Sequence, residues 1–328
     1  MVGYNKDTKE VKLTGFSSRK PITNLGASGT YNDVHGGNQP CLLKHGSTYK
    51  AWFAGSDGTH WRIMYMESSN GIDWSTPELV LDLGSNGEID DNGTIGASVI
   101  IDGSTYKMWY TADDGATQRI AYATSSDGKS WTKHGVVLDL GSNGDFDDYR
   151  LTGASVIKDG ATYKMWYTGH DGSREDIGYA TSSDGTSWTK QGKVIDRSEV
   201  DASTSVAYCN VIKDGSLYKM FWSGYHIGDI VSGSWKMGYS VSSNGINWQH
   251  KGLIYQNTDG AHRPSVIKDG SSYKMLHADY ATGTWQLVYS VLAMSDPNNT
   301  GSSTTGVYTN TNPQVNFGFT SNDTIVLH

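Results

Sequence analysis

The segment ASVIKDGATYKMWYTG, residues 154–169, decides the fold because four other segments of the chain repeat it. The copies are PCLLKHGSTYKAWFAG at 40–55, ASVIIDGSTYKMWYTA at 97–112, CNVIKDGSLYKMFWSG at 209–224 and PSVIKDGSSYKMLHAD at 264–279. The shared Tyr-Lys pair recurs at Tyr49, Tyr106, Tyr163, Tyr218 and Tyr273, at spacings of 57, 57, 55 and 55 residues. A nearly constant spacing of this length indicates five structural repeats rather than two unrelated domains.

Each repeat is predicted to contain four antiparallel β-strands. Its first turn carries His-Gly or Asp-Gly and begins at His45, Asp102, Asp159, Asp214 or Asp269. Its second turn carries Asn-Gly or Asp-Gly and begins at Asn70, Asp127, Asp184 or Asn244. Asn-Gly and Asp-Gly accept the positive φ angles of two-residue hairpin turns. Between the turns, aromatic and smaller residues alternate, as in YKMWY, which is the period of a β-strand.

Five such repeats predict an all-β fold, a five-bladed β-propeller with four antiparallel strands per blade. A ring leaves only short, protected sheet edges, whereas an open row of repeats leaves two exposed ones. The fifth repeat lacks its own fourth strand, and we expect the strand around Val11–Phe16 to supply it and close the ring. The predicted propeller covers residues 1–294, with blades near 39–94, 95–151, 152–204, 205–260 and 261–294 plus 11–20. Residues 295–328 are predicted to form a polar appendage, which could carry a contact to a protein partner.

Composition excludes several classes of function. The net charge is −8 and no block of Lys and Arg occurs, so we expect no nucleic-acid partner. No apolar run is long enough for a membrane span, so no membrane insertion is expected. The opening MVGYNKDTKE lacks the apolar core of a secretory signal. An extracellular or virion-associated location therefore requires that a signal was removed or that the protein leaves its cell by another route. Cys41 and Cys209 fall in repeats that would not be neighbours in a ring, so no disulfide is expected between them.

Function in a ring of similar blades is expected where the copies differ. One such set of segments precedes the first strand of each repeat and carries an aspartate in every copy: Asp33, Asp91, Asp148, Asp201 and Asp259. Five carboxylates around one mouth could raise each other's pKa or gather a cation, or each could cap the turn before its strand. The polar residues that differ between the copies are the better candidates for ligand contact: His35, Asn38, Gln39, Asn92, Tyr149, Arg150, Tyr208, His262 and Arg263.

A second set lies just before the third strand of each repeat, at Trp61, Gln118, Glu175, Trp235 and Trp285. The three Trp belong to blades four, five and one, which adjoin in a ring, so they would form one aromatic sector. Indole faces suit the apolar faces of sugar rings. The alternative is that these Trp pack between blades.

The repeat pattern P-S-V-I-K-D-G-x-x-Y-K-M-W-Y-T-G, followed by I-G-Y-A-x-S-x-D-G-x-x-W, resembles the five-bladed propeller glycosidases of the arabinanase, β-xylosidase and invertase/levansucrase group. The resemblance covers about residues 11–294 and implies hydrolysis by carboxylates at the channel mouth. The Asp-Pro base motif of that group is Gln39-Pro40 here, and the corresponding positions in blades two and three are Gly96 and Gly153. The catalytic candidates that remain are Asp33, Asp91, Asp148 and Glu175.

Three functions follow from these observations. The first is carbohydrate recognition by a glycosidase-like propeller with weak or no catalysis, the ligand contacts including Trp61, Trp235, Asp259 and Trp285. The second is an active glycoside hydrolase with a rearranged carboxylate set, acting on furanosyl or xylosyl linkages. The third is a structural scaffold. No cofactor is required, although SNGEIDD and SNGDFDD make calcium a candidate.

Overall fold

The computed structural model describes residues 13–23, 26–200, 205–226, 234–256, 262–280 and 283–294. These residues form twenty β-strands and one 3-10 helix at Arg197–Val200, so the all-β prediction is confirmed. The strands of the first half are β1 (Leu13–Pro21), β2 (His35–His45), β3 (Thr48–Ser56), β4 (Trp61–Ser68), β5 (Glu78–Leu81), β6 (Gly93–Asp102), β7 (Thr105–Asp113), β8 (Gln118–Ser125), β9 (Thr132–Leu138) and β10 (Arg150–Asp159). The others are β11 (Thr162–His170), β12 (Glu175–Ser182), β13 (Thr189–Ile195), β14 (Ser205–Asp214), β15 (Leu217–His226), β16 (Ser234–Ser242), β17 (Gln249–Gln256), β18 (His262–Asp269), β19 (Ser272–Asp279) and β20 (Gln286–Met294). No described segment is a helix with the length and apolarity that a membrane crossing requires.

The strands pair as antiparallel units of four in chain order. The first four units are β2–β5, β6–β9, β10–β13 and β14–β17. Single parallel pairings join neighbouring units, Trp61 with Gly93 and Glu175 with Ser205. These pairings bring the start of a third strand beside the start of the next unit's first strand. Both sets of segments singled out in the sequence therefore meet at the same end of the strands.

The last unit contains β18, β19, β20 and the N-terminal strand β1. Strand β1 pairs antiparallel with β20 from Leu13, opposite Met294, to Pro21, opposite Val288. The strand runs beyond Phe16 and ends one residue after the segment 11–20 that the sequence analysis assigned to the last blade. The predicted appendage at 295–328 lies outside the described residues.

A buried Trp in the second strand of each of the first three units ties that unit to the next. Trp52, on β3, is fully buried, and its Nε1 donates a 2.8 Å hydrogen bond to the carbonyl of Gly128 in the second unit. Trp109 and Trp166 make the same bond to Gly185 and Gly245. A buried indole N–H without a partner would be costly, so this bond fixes the distance between adjacent units.

The aspartate of the first turn also links two units. Asp269 accepts hydrogen bonds from Tyr49 Oη at 2.5 Å and Lys44 Nζ at 2.6 Å in the first unit, and Lys274 Nζ lies 2.9 Å from it. These donors hold the pKa of the Asp269 carboxyl well below its ordinary value. Asp102, Asp159 and Asp214 make the equivalent contacts with the units that follow them. In the first unit His45 replaces the aspartate, and its Nδ1 lies 2.8 Å from Tyr106 Oη.

A further set of bonds joins the first strands near the central axis. Ser265 Oγ accepts a 2.8 Å hydrogen bond from the amide of Leu42, which connects the last unit with the first. The same acceptor position is filled by Cys41, Ser98, Ser155 and Asn210, which receive the amides of Val99, Val156, Val211 and Val266. This role explains why the copies share a small polar residue here. Both cysteines are free, and Cys209 is buried.

Candidate functional site

The first strands of the five units meet at a small cavity, and we call the ring of residues that lines it the neck. The cavity measures about 30 Å³, which is enough for one or two water molecules. The lining residues are Gln39, Pro40, Gly96, Ala97, Gly153, Ala154, Tyr208, Cys209, Arg263 and Pro264. A wider cavity of about 300 Å³ lies farther along the strands. A sugar ring is larger than this cavity, so the candidate site is the mouth beside it.

Three residues at the neck have a left-handed backbone that glycine normally adopts. The φ angles are 43° at Gln39, 49° at Tyr208 and 60° at Arg263. The equivalent positions in the other two units are Gly96 and Gly153, both at 60°. A non-glycine residue in this region costs about 1 kcal/mol or more, and such strain collects at functional sites. The sequence analysis noted the two glycines only as missing acids.

The glycines make room for side chains of the other units. A Cβ added at Gly96 would lie 2.1 Å from Gln39 Oε1, and one at Gly153 would lie 3.0 Å from Tyr208 Cδ1. Gln39 and Tyr208 therefore reach across neighbouring units at the neck. The left-handed backbone is held by hydroxyl groups, because Tyr208 N donates to Thr168 Oγ1 and Arg263 N to Ser223 Oγ, both at 2.8 Å.

Asn38 was predicted to contact ligand, and the structure gives it a supporting position. Its side chain is buried, and its Oδ1 accepts a 2.9 Å hydrogen bond from the amide of Gln39. This bond holds the left-handed turn at Gln39, as the hydroxyls do in the other units.

Aromatic side chains in ring contact form a cluster beside the neck, which we call the aromatic wall; His262 is its buried member, and the others are half-buried or exposed. It consists of Trp61, His35, Tyr280, Trp285, His262, Trp235, Tyr208 and Tyr225. His35 stacks on Trp61 with 5.3 Å between ring centroids, and His262 stacks on Trp235 at 5.0 Å. Trp285 lies edge-on to His262 at 4.6 Å. The wall thus joins the three Trp that the sequence analysis grouped, through histidines that it had assigned separately.

Sequence reasoning missed two members of the wall, Tyr225 and Tyr280. Tyr280 is 42% exposed and its ring lies 4.8 Å from that of Trp285. Both tyrosines directly follow the second-strand motif, in WSGY and LHADY. At the same position the first two copies have no aromatic residue and the third has a histidine. A comparison of the copies could therefore have identified the two tyrosines.

A polar sector lies on the other side of Tyr208. Arg150 and Glu175 both pair with His170 across the sheet, and Glu175 is buried. His170 Nδ1 accepts a 2.8 Å hydrogen bond from Gly172 N, and burial lowers the pKa of this imidazole. Tyr149 is 51% exposed, and its ring lies 5.4 Å from that of His170.

Four buried polar atoms at the mouth lack a hydrogen-bond partner among the described residues. They are Asp33 Oδ1, Gln39 Oε1, Arg150 Nε and Arg263 Nε. The Arg263 guanidinium lies 4.2 Å from the Tyr208 ring centroid and 5.6 Å from that of Trp285. Buried polar groups are normally paired, so these atoms point to a ligand or to ordered water.

The predicted catalytic aspartates hold loops. Asp33 Oδ2 accepts the amide of Gly29 at 2.7 Å, Asp91 Oδ2 that of Gly87 at 2.6 Å, and Asp148 Oδ2 that of Gly144 at 2.7 Å. These bonds correspond to the turn-capping alternative. Asp201 and Asp259 lie outside the described residues. Asn92, beside Asp91, is exposed.

Two carboxylates at the mouth were not predicted. Asp113 and Asp279 end the second strands of their units, and Asp279 is buried. Asp113 Oδ2 accepts a 2.8 Å hydrogen bond from Gln118 Nε2, which accounts for the position of that glutamine. The end of the second-strand motif differs between copies, which is the signal that could have identified both.

The proposed calcium ligands contact the backbone of their own loops. Glu88 Oε2 accepts the amide of Ser85 at 2.9 Å, and Asp145 Oδ2 that of Ser142 at 2.8 Å. Across the described ranges, no group of three or more His, Cys, Asp or Glu is arranged to hold a metal. Calcium binding stays a prediction from the sequence.

Comparison with known proteins identifies the fold. No protein-family profile matches the chain. An uncharacterized protein of Mycobacterium tuberculosis (strain CDC 1551 / Oshkosh) is 29% identical over 235 residues, which are 63% of this chain and 73% of that protein. The solved structure of BT0996 in complex with RGII superimposes with a TM-score of 0.70 at 18% identity, over 91% of this chain and 95% of that protein. The Cellvibrio cellulosa α-L-arabinanase bound to arabinohexaose gives 0.61 at 12% identity, over 78% and 90%. The chain has the fold of the propeller glycoside hydrolases, as its repeats predict.

Proposed function

We propose that this protein binds an oligo- or polysaccharide at the aromatic wall, with weak or no catalysis. The observation that carries the proposal is the continuity of that wall beside a neck whose cavity is smaller than a sugar ring. Indole and phenol faces bury the apolar faces of sugar rings at little entropic cost, and polar groups around them fix orientation. Gln39, Arg150 and Arg263 supply such polar groups.

The scaffold for this function is proposed to be a closed five-bladed ring. Its support is the contact between the last and first units: Leu42 N with Ser265 Oγ and Tyr49 Oη with Asp269, together with β1 on β20. Closure makes units four, five and one adjacent, which is the arrangement that lets Trp235, Trp285 and Trp61 share one wall. The blade boundaries predicted from the repeats follow from the same arrangement.

Weak or absent catalysis is supported by the carboxylates themselves. Glutamine occupies position 39, where the resemblance implies an Asp base. One carboxylate oxygen of each candidate aspartate accepts a hydrogen bond from a loop amide, at Asp33, Asp91 and Asp148. Hydrolysis of a glycosidic bond needs two carboxyl groups that flank it, one protonated and one ionised.

A hydrolase is the second candidate, and the burial of Glu175 favours it. This carboxyl lies at the mouth with only 7% of its surface exposed. Asp113 and Asp279 end second strands at the same mouth and could complete a rearranged pair. Under this alternative the acid comes from a third strand rather than from an inner strand.

The test is a glycan array followed by titration calorimetry with the best-bound oligosaccharide. Removing Trp285 takes away the centre of the wall, so we expect Trp285→Ala to weaken binding about 10-fold or more. Leu217→Ala is the matched control, since Leu217 is 40% exposed at a hairpin turn remote from the mouth. Arabinohexaose is a first probe, because the α-L-arabinanase of this fold was solved with it.

A reducing-sugar assay on the bound glycans distinguishes the two candidates. Binding without product supports the binding protein. If the protein releases product and Glu175→Gln abolishes this turnover, the protein is a hydrolase instead. If Trp285→Ala and wild type bind equally, the wall is not the site. An extracellular or virion-associated location, where such glycans occur, stays a prediction.

A further inference from the structure

Two arginines at the mouth differ from three other arginines of the described ranges, of which Arg62 is buried and Arg119 and Arg197 are half-buried. Arg62 contacts Asp57 at 2.6 Å and Asp82 at 2.8 Å. Arg119 lies 2.9 Å from both Asp114 and Asp139, and Arg197 lies 3.4 Å from Asp176. Arg150 and Arg263 have no carboxylate within ion-pair distance in the part of the chain that the structure describes, and the Nε of each is buried without an acceptor. A desolvated guanidinium is costly unless an anion pairs with it.

The position of Arg263 is costly in backbone energy as well. Its φ of 60° falls where a glycine would be strain-free, and the amide bond to Ser223 Oγ holds it there. The guanidinium lies over the Tyr208 ring and also interacts with its hydroxyl, and its Nε is left without a hydrogen-bond partner. A planar guanidinium held in this way is suited to bidentate recognition of a planar carboxylate.

Arg150 begins β10 of the third unit, next to the fourth unit, whose β14 carries Tyr208. Burial raises the pKa of the Tyr208 hydroxyl and Glu175 adds to this effect, whereas Arg263 and Arg150 oppose it. All three charges therefore act on the Tyr208 side chain. Neither guanidinium lies within ion-pair distance of this glutamate, so the pairing seen at Arg62 and Arg119 has no equivalent here among the described residues.

We propose that the saccharide bound at the mouth is acidic, and that Arg263, with Arg150 beside it, takes the carboxylate of a uronic acid residue. The inference rests on the proposed function and specifies its ligand. The aromatic wall then holds the apolar faces of adjoining sugars, and Gln39 Oε1 accepts from a hydroxyl. A bound carboxylate explains why two guanidinium groups are retained at the mouth without a carboxylate partner among the described residues.

The experiment measures binding to one oligosaccharide in two forms. Oligogalacturonate and the same oligosaccharide after carboxyl reduction are titrated into the full chain by calorimetry, beside an array that also carries sulfated and neutral glycans. We expect the acidic form to bind about 10-fold or more tightly, the factor of a charge-assisted hydrogen bond. Arg263→Gln should abolish this preference, and Arg263→Lys should restore part of it, because lysine keeps the charge without the bidentate edge.

The controls separate this inference from the proposed function. Arg119→Gln removes a paired arginine at a distance from the neck and should keep the preference. Arg263→Gln should fold, since Gln39 already occupies the equivalent left-handed position. The carboxylate assignment is overturned if the acidic and reduced forms bind equally, if the preference survives Arg263→Gln, or if only sulfated glycans bind. In each of these cases the wall remains a glycan site. If the wild-type protein binds no glycan on the array, the proposed function itself is rejected.

Discussion

Five equivalent positions at the neck share a left-handed backbone, and three of them carry a side chain that this backbone disfavours. Gln39, Tyr208 and Arg263 stand where Gly96 and Gly153 show what the backbone prefers. Replacing a glycine by any of these side chains costs conformational energy that folding does not return. Because the backbone alone would favour glycine, we infer that these side chains are present for the contacts they make in the space above the neck.

Gln39→Gly tests this strain. We expect the variant to be more stable by about 1 kcal/mol, because glycine adopts a φ of 43° without penalty. Gly96→Ala should destabilise by about 1 kcal/mol or more, since its φ is 60° and its Cβ would meet Gln39 Oε1. Urea denaturation measures both.

The double variant Gln39→Gly/Gly96→Ala is the control for the contact between the two residues. It should recover the part of the Gly96→Ala loss that comes from the clash and keep the part that comes from φ. A less stable Gln39→Gly would show that the side chain contributes more than its backbone costs.

At the scale of single residues, the sequence predicted which residues lie at the mouth better than it predicted their backbone conformations. The grouping of Trp61, Trp235 and Trp285 followed from comparing the copies. The left-handed backbone at Tyr208 and Arg263 did not, because neither residue type favours it, and only the glycines at the equivalent positions indicated it. Asp33 could not be separated from a catalytic role, since the loop amide that it binds is set by the folded turn.

Among the secondary-structure elements, the hairpin turns reverse the chain and also link neighbouring units. Asp-Gly predicted the turn between β18 and β19, and the glycine there, Gly270, has a φ of 62°. The role of Asp269 in linking units was not predictable, because its partner Tyr49 is 220 positions away. Long-range pairs of this kind depend on how units stack, which a local pattern does not encode.

Asp269→Asn should destabilise the protein by about 1–2 kcal/mol at pH 7, since it removes charge-assisted bonds with Lys44 and Lys274. Lys44, Tyr49 and Lys274 hold the pKa of this carboxyl below its ordinary value of 3.8. The contribution of the carboxylate is therefore complete above pH 4 or so and is lost as the pH falls towards the folded-state pKa. The difference between variant and wild type should narrow below about pH 4 in urea denaturation series.

Asp139→Asn is the matched control for that series. Asp139 pairs with Arg119, but its side chain is 70% exposed, so its loss should change stability by less than about 0.5 kcal/mol. An Asp269→Asn variant that behaves like this control would contradict the linking role of the turn.

For the whole molecule, the N-terminal strand is the decisive piece. Without β1, the edge of β20 would present unpaired backbone groups, and such edges promote association. A chain that begins at Ile22 should melt at a lower temperature than the full protein and form aggregates. Size-exclusion chromatography with light scattering and thermal melting measure both effects.

A chain that begins at Leu13 is the control, because it keeps all of β1. It should behave as the full protein does. A monomeric chain from Ile22 with an unchanged melting temperature would show that the last unit is complete without the strand. The repeats predicted this strand because the fifth copy lacks its last segment, although its end at Pro21 came from the structure.

The small acceptors at Cys41, Ser98, Ser155, Asn210 and Ser265 have a consequence for unfolding. Each takes an amide from the adjoining unit, and Ser265 takes one from Leu42. Unfolding one unit alone would leave an amide and an acceptor unsatisfied in its two neighbours. Partial opening is thus penalised at every junction, and the molecule should lose its structure in one cooperative transition, without the progressive fraying from the ends that linear repeat arrays permit.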